Sequence, residues 1–140
     1  MTPTDVFSLT NLLVFPMWLL MIVLPKWKAT RFLMTYKVVP LILSLVYALY
    51  IVIAMRISGG MDFGSLSSVM ALFTEENAVL AGWVHYLAFD LLVGMWMIKQ
   101  NEDLGIHQLL MAPCLLATFM LGPVGFLLFM LIRSLKTKKA

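Results

Sequence analysis

A chain of 140 residues has room for one domain, and 62% hydrophobic against 12% charged residues, with a mean hydropathy of +0.97, excludes an ordinary soluble globule. The formal net charge of +3 comes from short basic clusters beside apolar runs, not from a stripe on a soluble element, and this excludes a nucleic-acid surface. A single cysteine, Cys114, excludes an intrachain disulfide and reads as a small apolar filler.

Four runs carry the apolar excess: residues 6–24, 38–55, 77–98 and 109–132. Each approaches or exceeds the ~20 residues that a helix needs to cross ~30 Å of hydrocarbon. None shows the alternation of a barrel strand, and lipid forbids unpaired backbone groups, so helices are the expected form. The fold predicted is an all-α integral membrane protein: one domain over residues 1–140, a multi-pass bundle of four transmembrane helices with proline kinks.

The first run lacks a preceding Lys or Arg and ends in "LPKWKATR", which predicts a retained helix and not a cleaved signal. After it comes "PKWKATRFLMTYK", residues 25–37, with Lys26, Lys28, Arg31 and Lys37 among aromatics. Pro40 stands near the start of the second run. The connection that follows is interrupted at Gly59, Gly60 and Gly64, after which Leu66, Val69, Met70 and Phe73 recur at helical spacing. A short amphipathic segment over residues 64–74, lying at the interface between helices two and three, is expected there. Thr74, Glu75 and Glu76 then read as a helix start, with carboxylates at the positive end of the helix dipole.

The third run contains "GWVHYLAFDLLVG", which places His85 and Asp90 at bilayer depth. An ionisable group there costs at least ~2.5 kcal/mol on insertion scales, so it faces the bundle interior and marks a functional site by default. Glu76, Trp83 and Tyr86 precede Asp90 by fourteen, seven and four residues and share its face. His85 precedes it by five and points ~140° away on an ideal helix, so the two address different neighbours or opposite walls of one pocket. Apolar surroundings favour the neutral form of each, a proton donor and a proton acceptor. Cross-helix hydrogen bonds to Asn11, Ser44 or Tyr47 are the purely structural alternative.

In the fourth run "LGPVG", residues 121–125, sets Pro123 between two glycines, and a kink or near-break is expected. Arg133, Lys136, Lys138 and Lys139 close the chain. With four crossings the basic clusters fall on opposite faces and Lys and Arg tie, so charge counting leaves orientation nearly open; the first loop favours both termini outside. No metal-ligand spacing and no haem-attachment motif occurs, and the two histidines lie on different elements, so no metal and no cofactor is expected.

The segments "NLLVFPMWLLMIVLPKWKATR" (residues 11–31), "GWVHYLAFDLLVGMW" (residues 82–96) and "LGPVG" resemble the ABA4-like family, known for the plant neoxanthin synthase and its bacterial relatives. Most specific is W-x-H-x-x-x-x-D, formed by Trp83, His85 and Asp90, with Asn11, Pro16, Trp18, Pro25, Trp27 and Arg31 in support. The resemblance implies a small membrane protein acting on carotenoids, in the plant case isomerising an epoxy xanthophyll to an allenic one without electron exchange. It differs at two places: Met95 stands where bacterial relatives often carry arginine, and only apolar residues surround Phe129 where they often carry histidine late in the fourth helix.

On this reading Asp90 or Glu76 protonates the epoxide and His85 removes a proton from the adjacent polyene carbon. Trp83, Tyr86, Asn11, Trp18, Arg31 and His107 are the expected substrate-binding residues. Expected partners are a carotenoid or other long apolar ligand, membrane lipid, and a second copy or larger membrane complex. A non-catalytic carotenoid-binding or assembly protein is the alternative, and a transporter or proton relay using Asp90 a weaker one.

Overall fold

The computed structural model describes residues 1–138; Lys139 and Ala140 lie outside the described residues, as does the side chain of Lys138. Among them every regular element is helical: α1 (Pro3–Val23), α2 (Lys28–Thr35), α3 (Val38–Ser58), α4 (Leu66–Leu72), α5 (Glu76–Leu104), α6 (Gln108–Leu121) and α7 (Pro123–Lys138). Three stretches are long and apolar enough to cross a membrane, α1, α5 and the α2–α3 stretch, of which α3 is the apolar part, and the protein is a multi-pass integral membrane protein.

Local chemistry sets the helix starts. Thr2 and Asp5 form a capping box ahead of Pro3, whose missing N–H costs nothing in the first turn. Glu75, not Thr74, caps α5: its carboxylate accepts from the Asn77 and Ala78 amides, at 3.1 and 2.7 Å. Desolvation raises the Glu75 carboxyl, but the hydrogen bonds from Asn77 and Ala78 outweigh it and hold it below the usual carboxylate range. The basic connection after α1 is itself helical, and the amphipathic segment expected over 64–74 is α4, capped by Ser65.

The longest helix, α5, is the axis of the bundle. Twenty-nine residues make it about 43 Å long, more than the hydrocarbon thickness, and Asp90 is its middle residue. Beside it α1 runs parallel: Asn11 bonds to Trp83 at one level, and Trp18 and Met21 fill the notch at Gly94 further along. A Cβ at Gly94 would stand 2.7 Å from the Trp18 ring, so this glycine is what lets a buried indole reach the α5 backbone. On the other side α3 runs antiparallel, with Tyr47 against His85 and Lys37 sharing a cavity with Lys99.

The expected fourth helix, 109–132, is two helices. The break falls at Gly122, inside "LGPVG", with φ of 49° and ψ of −99°, and Pro123 starts α7 as its first residue. α7 does not continue the direction of α6 but doubles back along it. Gly125 packs against the Thr118 and Cys114 backbone of α6, and the Lys136 amine donates to the Gly105 carbonyl, 2.8 Å, at the base from which α6 departs. Phe126 and Phe129 accordingly meet Trp96, on the C-terminal half of α5. At 14 and 16 residues, α6 and α7 are about 21 and 24 Å long, each short of a full crossing.

This hairpin redistributes charge. Lys26, Lys28, Arg31, Lys37, Lys99, Arg133 and Lys136 gather at one end of the bundle, and Arg56 stands at the other with Asp5, Asp62, Glu75 and Glu76. The tie expected from four crossings is broken, and the basic end is the one the positive-inside rule places in the cytoplasm.

Two outcomes follow. Reporter fusions at the two termini place them on opposite sides of the membrane, the C-terminus cytoplasmic; termini on the same side would contradict the hairpin. Gly125→Ala, whose Cβ would collide with the Thr118 backbone, lowers stability by about 1–3 kcal/mol or more in detergent unfolding, whereas Gly82→Ala, with its nearest neighbour at 3.6 Å, changes little.

Candidate functional site

Asp90 lies against the joint between α6 and α7. A Cβ on Gly122 would stand 2.8 Å from Asp90 Oδ1 and 3.2 Å from Oδ2, so the carboxyl rests on the glycine backbone itself. Any larger residue at 122 would displace it, and the left-handed φ disfavours one independently. Oδ2 is fully buried and has no hydrogen-bond partner among the described residues. One turn earlier the Tyr86 ring reaches the same joint, beside the carboxyl, and its hydroxyl donates to the Phe119 and Met120 carbonyls at 3.3 and 3.4 Å. These carbonyls belong to the last turn of α6 and have no continuing helix to bond them.

From this centre a row of aromatic side chains leads along the α1–α5 face. Trp83 packs on Tyr86 at 5.5 Å between ring centres and on Phe7 at 5.4 Å, and its indole N–H donates to Asn11 Oδ1 at 2.9 Å. Beyond it Glu76 and Trp83 share a cavity of about 210 Å³ with Phe7 at the bundle rim. Fourteen residues of helix put Glu76 about 21 Å from the level of Asp90. On the other side of the Asp90 joint, Phe119 contacts Phe15 and Trp18.

His85 belongs to a different wall. Its ring stacks on Phe89 at 4.7 Å and packs on Tyr47 at 5.4 Å. It lines an open apolar cavity of about 120 Å³ beside α4, together with Tyr47, Phe63, Val69 and Phe73. Residues 5–129 match the family model described as ABA DEFICIENT 4-like. The chain belongs to the ABA4-like family. No curated protein and no solved structure gives a significant match.

In this ABA4-like protein the residues named from sequence fall into four places. Asp90 and Tyr86 meet at the hairpin joint; Trp83, Asn11 and Glu76 continue that face to the rim. His85 looks into the α3–α4 cavity. Trp18 is 1% exposed, a core side chain packed into α5. Arg31 and His107 stand at the basic end, where His107 caps α6 by accepting from the Leu109 amide at 3.2 Å. Asn11 bonds Trp83 and not an ionisable group, and the Ser44 hydroxyl donates within its own helix to Pro40. Sequence reasoning had assigned no role at this site to Gly122 or Phe119; the glycine in "LGPVG" was the available signal for the first, and nothing local marks the second. No cluster of three or more His, Cys, Asp or Glu suited to a metal occurs among the described residues.

Because His85 and Asp90 have no shared partner, the stability effects of His85→Ala and Asp90→Asn add to within about 0.5 kcal/mol. Tyr86→Phe and Asp90→Asn, acting on one joint, couple by more than that. Denaturant titrations of the three single variants and two double variants measure both; strong coupling of the histidine to the aspartate would put them in one network.

Proposed function

We propose that this ABA4-like protein is a cofactor-independent carotenoid isomerase with Asp90 as its reacting group, built from three crossing helices and the re-entrant pair α6–α7. The carrying observation is the Asp90 carboxyl: an oxygen buried without a partner, at the middle of the longest helix, at the end of an aromatic row. Leaving a buried acceptor unpaired costs about 1–3 kcal/mol, a cost that function explains when a substrate supplies the partner. Phe7, Trp83 and Tyr86 offer a row of tilted aromatic rings, an apolar surface suited to a polyene.

The chemistry follows from one carboxyl with two oxygens. With an epoxy xanthophyll, the substrate class the family resemblance implies, protonated Asp90 gives its proton to the epoxide oxygen as the C–O bond opens. The other carboxylate oxygen then takes the proton from the neighbouring polyene carbon, whose C–H electron pair forms the second double bond of the allene. The carboxyl ends protonated as it began, atoms balance, and no electron is exchanged. Tyr86 holds the joint in place through the Phe119 and Met120 carbonyls. His85, facing the α4 cavity, is outside this centre, and Glu76 stands in the rim cavity beside Trp83.

A binding role without turnover is the second reading, favoured by Met95 and Phe129. Phe129 is 0% exposed, closed apolar core, and Met95 puts an apolar side chain at the edge of the core, in the regions where bacterial relatives often carry polar residues.

Asp90→Asn lowers isomer yield by about 10²–10⁴, the span of a lost general acid and base, while carotenoid still co-purifies. Chromatography of xanthophylls from membranes carrying each variant reads this directly. Undiminished yield removes Asp90 from the chemistry; a bound polyene with no isomer from the unaltered protein selects the binding role.

A further inference from the structure

The basic end holds a cavity that the proposed isomerase site does not use. It measures about 400 Å³ and opens between α2, the start of α3 and the C-terminal half of α5. Three cations line it, Arg31, Lys37 and Lys99, against one acid, Glu102, which the Lys99 amine already pairs. Arg31 and Lys37 make no direct ion pair among the described residues, Arg31 acting on Glu102 only at longer range, so the cavity keeps an excess of positive charge. The rest of the wall is apolar: Leu92, Met95 and Trp96 descend along α5 from the level of Lys99 toward the bilayer centre.

The backbone is bent to make this arrangement. Lys37 joins α2 to α3 with φ of 51° and ψ of 41°, the one non-glycine residue with positive φ in the described chain. That conformation is strained for a residue that carries a side chain. It turns the chain from α2, whose Arg31 reaches the cavity, directly into α3.

Cations at the rim, an interfacial tryptophan and an apolar wall below make one amphiphilic site. We propose that this cavity binds an anionic phospholipid, its phosphate held by Arg31 and Lys37 and its acyl chain laid along Leu92, Met95 and Trp96. Charge complementarity selects the occupant. The end bearing Lys26, Lys28, Arg31, Lys37 and Lys99 faces the cytoplasmic leaflet, which carries anionic headgroups. Arginine gives bidentate contact to a phosphate, and a strongly hydrated lysine adds a point charge. A zwitterionic lipid would bring its own cation into a site already in positive excess.

Native mass spectrometry of the full chain, released from nanodiscs of phosphatidylglycerol mixed with phosphatidylcholine, tests this. The unaltered protein retains phosphatidylglycerol selectively. The double variant Arg31→Gln with Lys37→Gln loses about tenfold to thirtyfold in relative retention, the scale of two interfacial charges. Arg133→Gln, equally basic but on α7 outside the cavity, leaves retention unchanged, as does any variant toward phosphatidylcholine. Equal loss in Arg133→Gln would mean diffuse surface attraction and overturn the site. So would unchanged selectivity in the double variant, or displacement of the lipid by millimolar inorganic phosphate, which would make it a site for a free anion. Folding of the double variant is checked by its melting temperature in phosphatidylcholine alone. Isomer yield is not the readout, so failure here leaves the Asp90 assignment standing.

Discussion

A helix that ends inside a bilayer leaves carbonyls and amides with no water to bond them, and the rest of this bundle is arranged around closing such a break at Gly122. Pro123 removes one orphan donor by having no N–H, and the Gly122 amide bonds back to the Thr118 carbonyl at 2.8 Å. The Phe119 and Met120 carbonyls are met by the Tyr86 hydroxyl. Asp90 fills the remaining space against the glycine. Tyr86 and Asp90, in the middle of α5, are thus tied to the backbone break at Gly122, and a carboxyl oxygen is left there without a hydrogen-bond partner among the described residues.

Folding α7 back on α6 needs close approach, and the small surfaces of Gly125, Cys114 and Thr118 provide it. In lipid there is no hydrophobic drive between helices, so such contacts and the Lys136 to Gly105 hydrogen bond, 2.8 Å, supply the attraction. The hairpin then brings Arg133 and Lys136 to the end already occupied by α2. One local break therefore decides a global property, the asymmetry of charge between the two ends.

Much of the site was legible along α5 because a helix of fixed period leaves little choice. Spacings of four and seven put Tyr86 and Trp83 on the face of Asp90, and a spacing of five turned His85 away; the structure has Trp83 on Tyr86, Tyr86 at the Asp90 joint and His85 among Tyr47 and Phe89. Trp18 was misleading for the opposite reason. An aromatic near the end of an apolar run reads as an interfacial or ligand-facing ring, but the glycine that receives it lies seventy-six residues away in the chain, at Gly94.

The sequence by itself determined that the chain is helical and membrane-bound, where α1, α3 and α5 run, that α4 is amphipathic, and that "LGPVG" interrupts the last run. These follow from composition, period and the dihedral limits of proline and glycine, all local quantities. Whether that interruption bends a fourth crossing or reverses it was decided only in three dimensions, because a proline between glycines permits either. The choice rests on Gly125 meeting the α6 backbone and on Lys136 reaching Gly105, contacts between residues that no local pattern pairs.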